Sequence, residues 1–312
     1  MQKDIFKALP AAAAVLLIAA MAAVSELTGE KEILFPEIAA IAAGSLISPR
    51  LCWKTNDLRL LLTIAAGSVT GLLIVQVIPL PLAVQMCMAF LLASLMLVFS
   101  GTTFAPLISS IVLPVMLQTK SFLYPVSAVI LTTAIIMLRR TFCHFGLSEV
   151  STFTPEPLPD KIVITDMLIR WLTGSIVMII AVSTGCKLIV APPLLVAFTE
   201  FWKPGSKARK SPVLVCSVIT ACTVTGTVTR YLSAMLGIYE FIAVAATTVI
   251  VFIIMKKTAA FIPPAAALSV LAFLIPSEQL AVYPLFILTG VSAFTAIPLL
   301  YTKLTAQNKD QP

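Results

Sequence analysis

Twelve apolar segments follow one another along the 312 residues, separated by short charged or proline-containing connections. The longer segments, such as residues 58–78 and 212–236, exceed the roughly 20 apolar residues that an α-helix needs to cross the hydrocarbon core of a bilayer. Lipid offers no hydrogen-bond partner to backbone N–H and C=O groups, so spanning segments of this length fold as α-helices. We therefore predict an all-α integral membrane protein.

The composition excludes a water-soluble globular protein. Hydrophobic residues make up 59% of the chain and charged residues 11%, whereas soluble domains have about 45–50% and about 25%. Too few polar side chains remain to cover a surface in water. The net charge of +7 comes from clusters between the apolar segments, which favours contact with anionic lipid headgroups over nucleic acid. The predicted partner is the lipid bilayer.

The chain contains an internal repeat. Four blocks recur in the same order with offsets of 155 to 159 residues: residues 28–41 with 184–197, 68–71 with 223–226, 103–110 with 260–267, and 123–126 with 282–285. A chance match would not keep its order over four blocks. We therefore predict two membrane repeats, residues 1–142 and 161–312, joined by a proline-rich cytoplasmic linker, residues 143–160.

Each repeat has six apolar segments. Those of the first are residues 9–25, 33–48, 58–78, 82–99, 104–118 and 123–138, and those of the second are residues 163–183, 188–201, 212–236, 240–255, 259–275 and 283–301. Six is an even number, so both repeats enter the membrane with the same orientation. Parallel repeats of this kind are related by a pseudo-twofold axis along the membrane normal.

The basic residues predict the orientation. If all twelve segments cross and the N-terminus is cytoplasmic, sixteen of the 21 lysines and arginines fall on the inner side. The outer side receives Lys31, Lys120 and Lys187, while Arg170 and Arg230 fall within segments. The positive-inside rule therefore favours full crossings, with both termini in the cytoplasm of a bacterial cell and the chain in its inner membrane.

The second and fifth segments of each repeat are short and contain prolines. Sixteen helical residues reach only about 24 Å, against roughly 30 Å of hydrocarbon. Such segments must be buried in protein or line a wet cavity. The amino ends of these helices would favour an anion, and the small residues beside them would equally suit close helix packing. The candidate binding residues of this kind are Pro36, Pro106, Ser109, Ser110, Pro192, Pro193, Pro263 and Pro264.

Charged and hydroxyl side chains within the segments supply further candidates. Glu37 is a costly intramembrane carboxylate and a candidate for binding or proton coupling, unless it lies in water near the outer end of its segment. Arg230 follows Thr223 and Thr227 on one helix face, an arrangement that suits an anion. The alternative for Arg230 is that its guanidinium reaches the outer headgroups.

The second repeat resembles the HPP family of integral membrane proteins. The similarity covers residues 259–303, where Ile262 stands in place of the family's histidine before Pro263, Pro264 and Ala265, and residues 186–226, a small proline-containing segment followed by a polar loop and a glycine-bearing helix. Members of that family are connected with nitrite transport. The resemblance therefore implies a transporter of a small, nitrite-like solute.

These observations predict a membrane transporter or channel-like permease for a small anionic solute. The alternative is a structural or assembly membrane protein without translocation. The chain has no zinc-protease, nucleophile-elbow or phosphate-loop motif, so we expect neither an enzyme nor a cofactor or metal site. Association with further copies of the chain is left open.

Overall fold

The structure is a computed structural model that describes residues 2–48, 50–148, 152–203 and 205–307, without the side chains of residues 2–7, 207, 208 and 305–307. Every regular element within these ranges is helical. The α-helices are α1 (Gln2–Thr28), α2 (Glu37–Ala42), α3 (Asp57–Val77), α4 (Leu82–Phe99), α5 (Pro106–Leu117), α6 (Leu123–His144), α7 (Lys161–Ser183), α8 (Pro192–Trp202), α9 (Lys207–Lys210), α10 (Pro212–Leu236), α11 (Glu240–Thr258), α12 (Pro263–Leu271), α13 (Ser277–Leu280) and α14 (Tyr283–Gln307). A π-helical turn, Ala43–Ile47, continues α2.

Eight helices are long and apolar enough to cross a membrane: α1, α3, α4, α6, α7, α10, α11 and α14. Their apolar stretches contain 18 to 25 residues. Large apolar side chains on their outer faces are exposed, for example Leu16 at 70% and Ile130 at 61%. Such a surface favours an apolar solvent. The all-α prediction is confirmed for the described residues, with eight helices long and apolar enough to cross a membrane.

Local sequence explains several helix ends. Asn56 and Asp160 cap α3 and α7, because their side chains accept hydrogen bonds at 2.8 Å from the backbone N–H groups of Arg59 and Val163. Gly237 ends α10 with a φ of +65°, which an L side chain rarely adopts. Helix α6 runs to His144, beyond the predicted end at residue 138. The two arginines after that point extend the helix, since both contact Asp57.

Hydrogen bonds and ion pairs between helix ends define two faces of the molecule. On one, which we call the basic face, Arg140 Nε lies 2.7 Å from Asp57 and Lys54 Nζ lies 2.7 Å from Glu156. On the other, the opposite face, Lys31 Nζ lies 2.9 Å from Glu240. The side chains of Lys3, Lys7 and Lys207, and all of Lys309, which also belong to the predicted cytoplasmic set, lie outside the described residues.

The four short helices α2, α5, α8 and α12 form a closed ring in the interior. Helix α2 packs on α12 and α5, and α8 packs on the same two neighbours. Nearly all their side chains are buried, and those of Ile38, Ile108, Leu195 and Leu268 are completely inaccessible. Helices α5 and α12 begin towards the basic face, whereas α2 and α8 begin towards the opposite face. Short proline-containing segments are therefore buried in protein, as lipid requires.

Contacts between the first and second halves of the chain come in matched pairs. Helix α1 packs on α11 and α7 packs on α4, while α2 packs on α12 and α8 packs on α5. Two buried tyrosines make equivalent bonds: Tyr124 donates to the carbonyl of Ser110 at 3.0 Å, and Tyr283 donates to that of Leu268 at 2.8 Å. Helices of the first half therefore pack directly against helices of the second half.

Candidate functional site

Glu37 lies inside the ring of short helices. It is the first residue of α2 and is 1% exposed, whereas Glu30, seven residues earlier, is exposed. The Ser109 hydroxyl of α5 donates a hydrogen bond to Glu37 Oε1. Glu37 Oε2 is buried and has no hydrogen-bond partner among the described residues. The structure thus brings the predicted site residues Glu37 and Ser109 together. Glu37 lies in the interior, apart from the water-exposed Glu30.

An aromatic pair lies near the start of α2. Phe35 and Tyr124 meet edge to face, with ring centroids 5.8 Å apart, and both are buried. The Tyr124 hydroxyl donates its hydrogen bond to the Ser110 carbonyl, so it does not donate to Glu37. The hydroxyl of Ser110 donates to Leu107 within its own helix. Ser109 is therefore the side chain that contacts Glu37, and Ser110 turns its hydroxyl elsewhere.

The predicted prolines begin the short helices. Pro106 starts α5, Pro192 and Pro193 start α8, and Pro263 and Pro264 start α12, while Pro36 precedes α2. All six are buried. A proline nitrogen carries no hydrogen, and the next N–H groups are already bonded locally: Ala265 donates to Ile262 O at 2.9 Å and Leu194 to Ala191 O at 2.7 Å. These helix starts consequently offer fewer free donors to an anion than an ordinary helix start.

Basic side chains bind the carboxyl ends of three short helices. Arg230 donates to the carbonyls of Ala272 and Ile275, just past α12. Lys187 Nζ lies 3.2 Å from Met116 O in α5, and Arg209 donates to the last carbonyls of α8, including Trp202 O at 2.5 Å. A cation at this position satisfies unpaired carbonyls and the negative end of the helix dipole. The Arg230 contacts are those of a helix cap.

Arg230 and Thr227 also line a cavity of about 570 Å³ at the opposite face, together with Ser233 and Glu240. The Thr227 hydroxyl is buried without a hydrogen-bond partner among the described residues. Thr223, one turn away, is fully buried and donates to Ile219 O at 2.9 Å in its own helix. The predicted hydroxyl stripe therefore divides, with Thr227 beside Arg230 and Thr223 inside the helix packing.

A second cavity, of about 590 Å³, opens at the basic face between the two halves. We call it the basic cavity. Its wall includes Arg50 and Cys52 from the first half, Glu200 and Lys203 from the end of α8, and Ile262 and Pro263 at the start of α12. The Glu200 carboxylate accepts a hydrogen bond of 2.9 Å from the indole of Trp53. Neither Arg50 nor Lys203 forms an ion pair within the described part of the chain.

Burial lowers the pKa of the Lys203 ammonium group, and the nearby Glu200 carboxylate partly opposes that effect. Arg170 of α7 lies close enough to add positive charge at Lys203. Arg170 is 8% exposed, and its Nε is buried with no partner among the described residues. Two cations therefore lie close to each other, with Lys203 in the wall of the basic cavity, where an anion would reduce their repulsion.

Sequence reasoning noted Arg170 only as a basic residue within a segment. A charged residue within a spanning segment is itself a signal of function. This signal was present for Arg170 as well as for Glu37. Lys203 had no such signal, because it follows a segment and resembles the other cytoplasmic lysines. What distinguishes Lys203 is its burial between two parts of the chain that are distant in sequence.

Metal ligands do not cluster in the described part of the chain: no group of three or more histidine, cysteine, aspartate or glutamate side chains could hold an ion. Comparison with known proteins adds no relative, since no protein-family model, no curated protein and no solved structure matches this chain.

Proposed function

We propose that the protein is a membrane transporter or channel-like permease for a small anionic solute. The observation that carries the proposal is the basic cavity, which opens between the halves and ends at the ring of short helices. Lys203 lies in its wall and Arg170 lies close to Lys203. A cavity with surplus positive charge at the edge of the membrane attracts anions and concentrates them at the entrance of a path.

The ring of short helices would be the barrier on this path. The cavity at the basic face reaches Pro263 of α12, and the cavity at the opposite face lies beside Arg230, which holds the other end of the same helix. Movement of α12 would therefore affect both cavities. Small side chains in α12, such as Ala265 and Ala266, allow neighbouring helices to slide at close range.

We also propose that the two halves are parallel repeats related by a pseudo-twofold axis along the membrane normal. The matched contacts of α1 with α11 and α7 with α4 support this arrangement. Equivalent close approaches support it as well: Gly71 packs on the Ile111 carbonyl and Gly226 on that of Ser269. The similarity to the HPP family, with its implied nitrite-like solute, stays a prediction of the same kind.

The proposed location is the bacterial inner membrane, with the basic face and both termini in the cytoplasm. The described basic residues at the basic face outnumber those at the opposite face, where Lys31, Lys120 and Lys187 lie. The positive-inside rule relates this asymmetry to the cytoplasmic side.

A flux assay in proteoliposomes tests the proposal. Nitrite, nitrate, formate and small carboxylates would be compared for the wild type and the variants Lys203→Gln and Arg170→Gln. We expect flux of at least one anion, with a clear loss in both variants. Lys257→Gln is the matched control, because Lys257 is exposed at the basic face and does not line the basic cavity. Absence of flux for every anion would refute the proposal, and equal flux in all four proteins would refute the role given to Lys203 and Arg170.

The structural or assembly alternative has one observation in its favour. The ring of α2, α5, α8 and α12 is closely packed and its side chains are almost completely buried, as in a purely structural core. Under this alternative the wild type moves no anion, and the cations of the basic cavity serve only to contact lipid headgroups.

A further inference from the structure

We infer that Glu37 and Ser109 form a proton-binding site inside the ring, and that the ion coupled to the anionic solute is the proton held there. The second half of this inference rests on the proposed function.

The first argument is the isolation of the carboxyl group. Glu37 is 1% exposed, accepts one side-chain hydrogen bond, from Ser109, and has a buried Oε2 without a partner among the described residues. A carboxylate removed from water without a counter-charge is strongly unfavourable, and such a group takes up a proton instead. With Ser109 donating to Oε1, the proton belongs on Oε2.

The second argument is that, among the side chains the structure describes, the helices around Glu37 place no cation beside its carboxyl group. Helix α2 packs on α1, α5, α6 and α12. Helices α5 and α12 have no ionisable side chain. The described ionisable group of α1 is Glu26, which accepts bonds from two backbone N–H groups of α11. In α6, Tyr124 faces Glu37, whereas Arg139 and Arg140 lie at the basic face.

Lys31 is the closest lysine in the sequence, but it pairs with Glu240 at 2.9 Å. Ca²⁺ and Mg²⁺ fit the site less well than a proton, because each of these ions requires about six or more oxygen ligands. Ser109 is the one described side chain that forms a hydrogen bond with the Glu37 carboxyl group. A hydroxyl and a carboxyl oxygen suffice to hold a proton.

The position of the site explains why the proton would be coupled to an anion. Moving a lone negative charge through an apolar interior is costly, and a proton that travels with it makes the moving pair neutral. Glu37 and Ser109 join α2 to α5, two of the helices that close the path. Release of the proton would leave an unpaired carboxylate in the ring and force these helices apart.

Infrared spectroscopy of the purified protein in lipid tests the protonation directly, without transport. The difference spectrum between wild type and Glu37→Gln should contain the C=O band of a protonated carboxylic acid at pH 7, shifted in D₂O. Glu278→Gln is the control, because Glu278 is exposed and its difference spectrum should contain carboxylate bands alone. Ser109→Ala should shift the acid band. Carboxylate bands in place of the acid band for Glu37 would overturn the inference.

Proton movement in proteoliposomes tests the coupling. With a pH-sensitive dye inside the vesicles, an inward gradient of the transported anion should acidify the lumen for the wild type. Glu37→Gln, an uncharged side chain of similar shape, should abolish the acidification. Anion flux without acidification would overturn the coupling and leave the proposed function standing. An acid band without any anion flux would refute the proposed function and overturn the coupling, while supporting the proton-binding site.

Discussion

The contact between α10 and α12 depends on Gly226, and adding one methyl group there should destabilise the protein measurably. A Cβ atom at this position would lie 2.8 Å from the carbonyl carbon and 2.9 Å from the Cα of Ser269. Real Cβ contacts are ordinarily 3.4 Å or longer. The obstacle is backbone, which cannot rotate aside as a side chain would. Gly226→Ala must therefore push α12 away from α10.

The magnitude follows from two opposing effects. Overpacking a tight interface costs about 1–3 kcal/mol, and replacing glycine by alanine in a helix returns about 1 kcal/mol. Because backbone blocks the new methyl group, we expect the upper part of the first range and a net loss of about 2 kcal/mol. That loss corresponds to about a 30-fold change in the folding equilibrium.

Reversible unfolding in detergent micelles measures this difference. Gly71→Ala should show a similar loss, since its Cβ would lie 2.6 Å from Pro114 Cγ and closer still to the Ile111 carbonyl. Val228→Ala is the control on the same helix as Gly226, because Val228 is 47% exposed, and it should change stability by less than about 0.5 kcal/mol. A Gly226→Ala protein as stable as the wild type would refute the close packing of α10 on α12.

Three further outcomes follow from the charged groups. Arg230→Gln should lower the free energy of unfolding by about 1.5–3 kcal/mol, the range for a hydrogen bond to a charged group, because it uncaps α12; unchanged stability in a denaturant titration would contradict the cap. Arg170→Gln should leave stability unchanged or raise it, since it removes a buried cation whose Nε has no hydrogen-bond partner among the described residues, and should weaken anion binding measured by calorimetry; a large loss of stability would show that the arginine is structural. Burial lowers the pKa of Lys203 in the folded state. Below that folded-state pKa the charged ammonium group destabilises the fold. The free energy of unfolding should therefore rise as the pH rises through the folded-state pKa. Anion affinity should fall over the same rise in pH, and a Lys203→Met protein with an identical pH profile would argue against both effects.

Local sequence was sufficient to locate the helices. Each of the twelve predicted apolar segments contains one α-helix, and the four short proline-containing segments are the ones that lie buried in the interior. Length and apolarity decide whether a segment can cross lipid, and both are properties of a short stretch of chain. The end of α6 was placed too early for a related reason, since the contacts of Arg139 and Arg140 with Asp57 join residues about 80 positions apart.

The candidate site was predicted less completely, because its chemistry depends on partners from distant segments. Glu37 was identified from its own charge, yet its bond to Ser109 spans 72 residues. Arg230 was interpreted as an anion ligand or a headgroup contact, whereas its guanidinium binds two carbonyls of the α12 end, 42 and 45 residues away. Thr223 and Thr227 lie on one helix face, and only the packing of α10 separates their environments.

By itself, the amino-acid sequence determined that this protein needs an apolar solvent, how many segments it has, and which of them are too short to face lipid. These are consequences of local composition and of the length of a helical turn. The tertiary structure decided which charges are isolated and which are satisfied. Arg230 caps a helix, Lys203 lines a cavity and has Arg170 close by, and Glu37 is enclosed with one serine. The energy of a buried charge depends on its neighbours, and helix packing alone determines what those neighbours are.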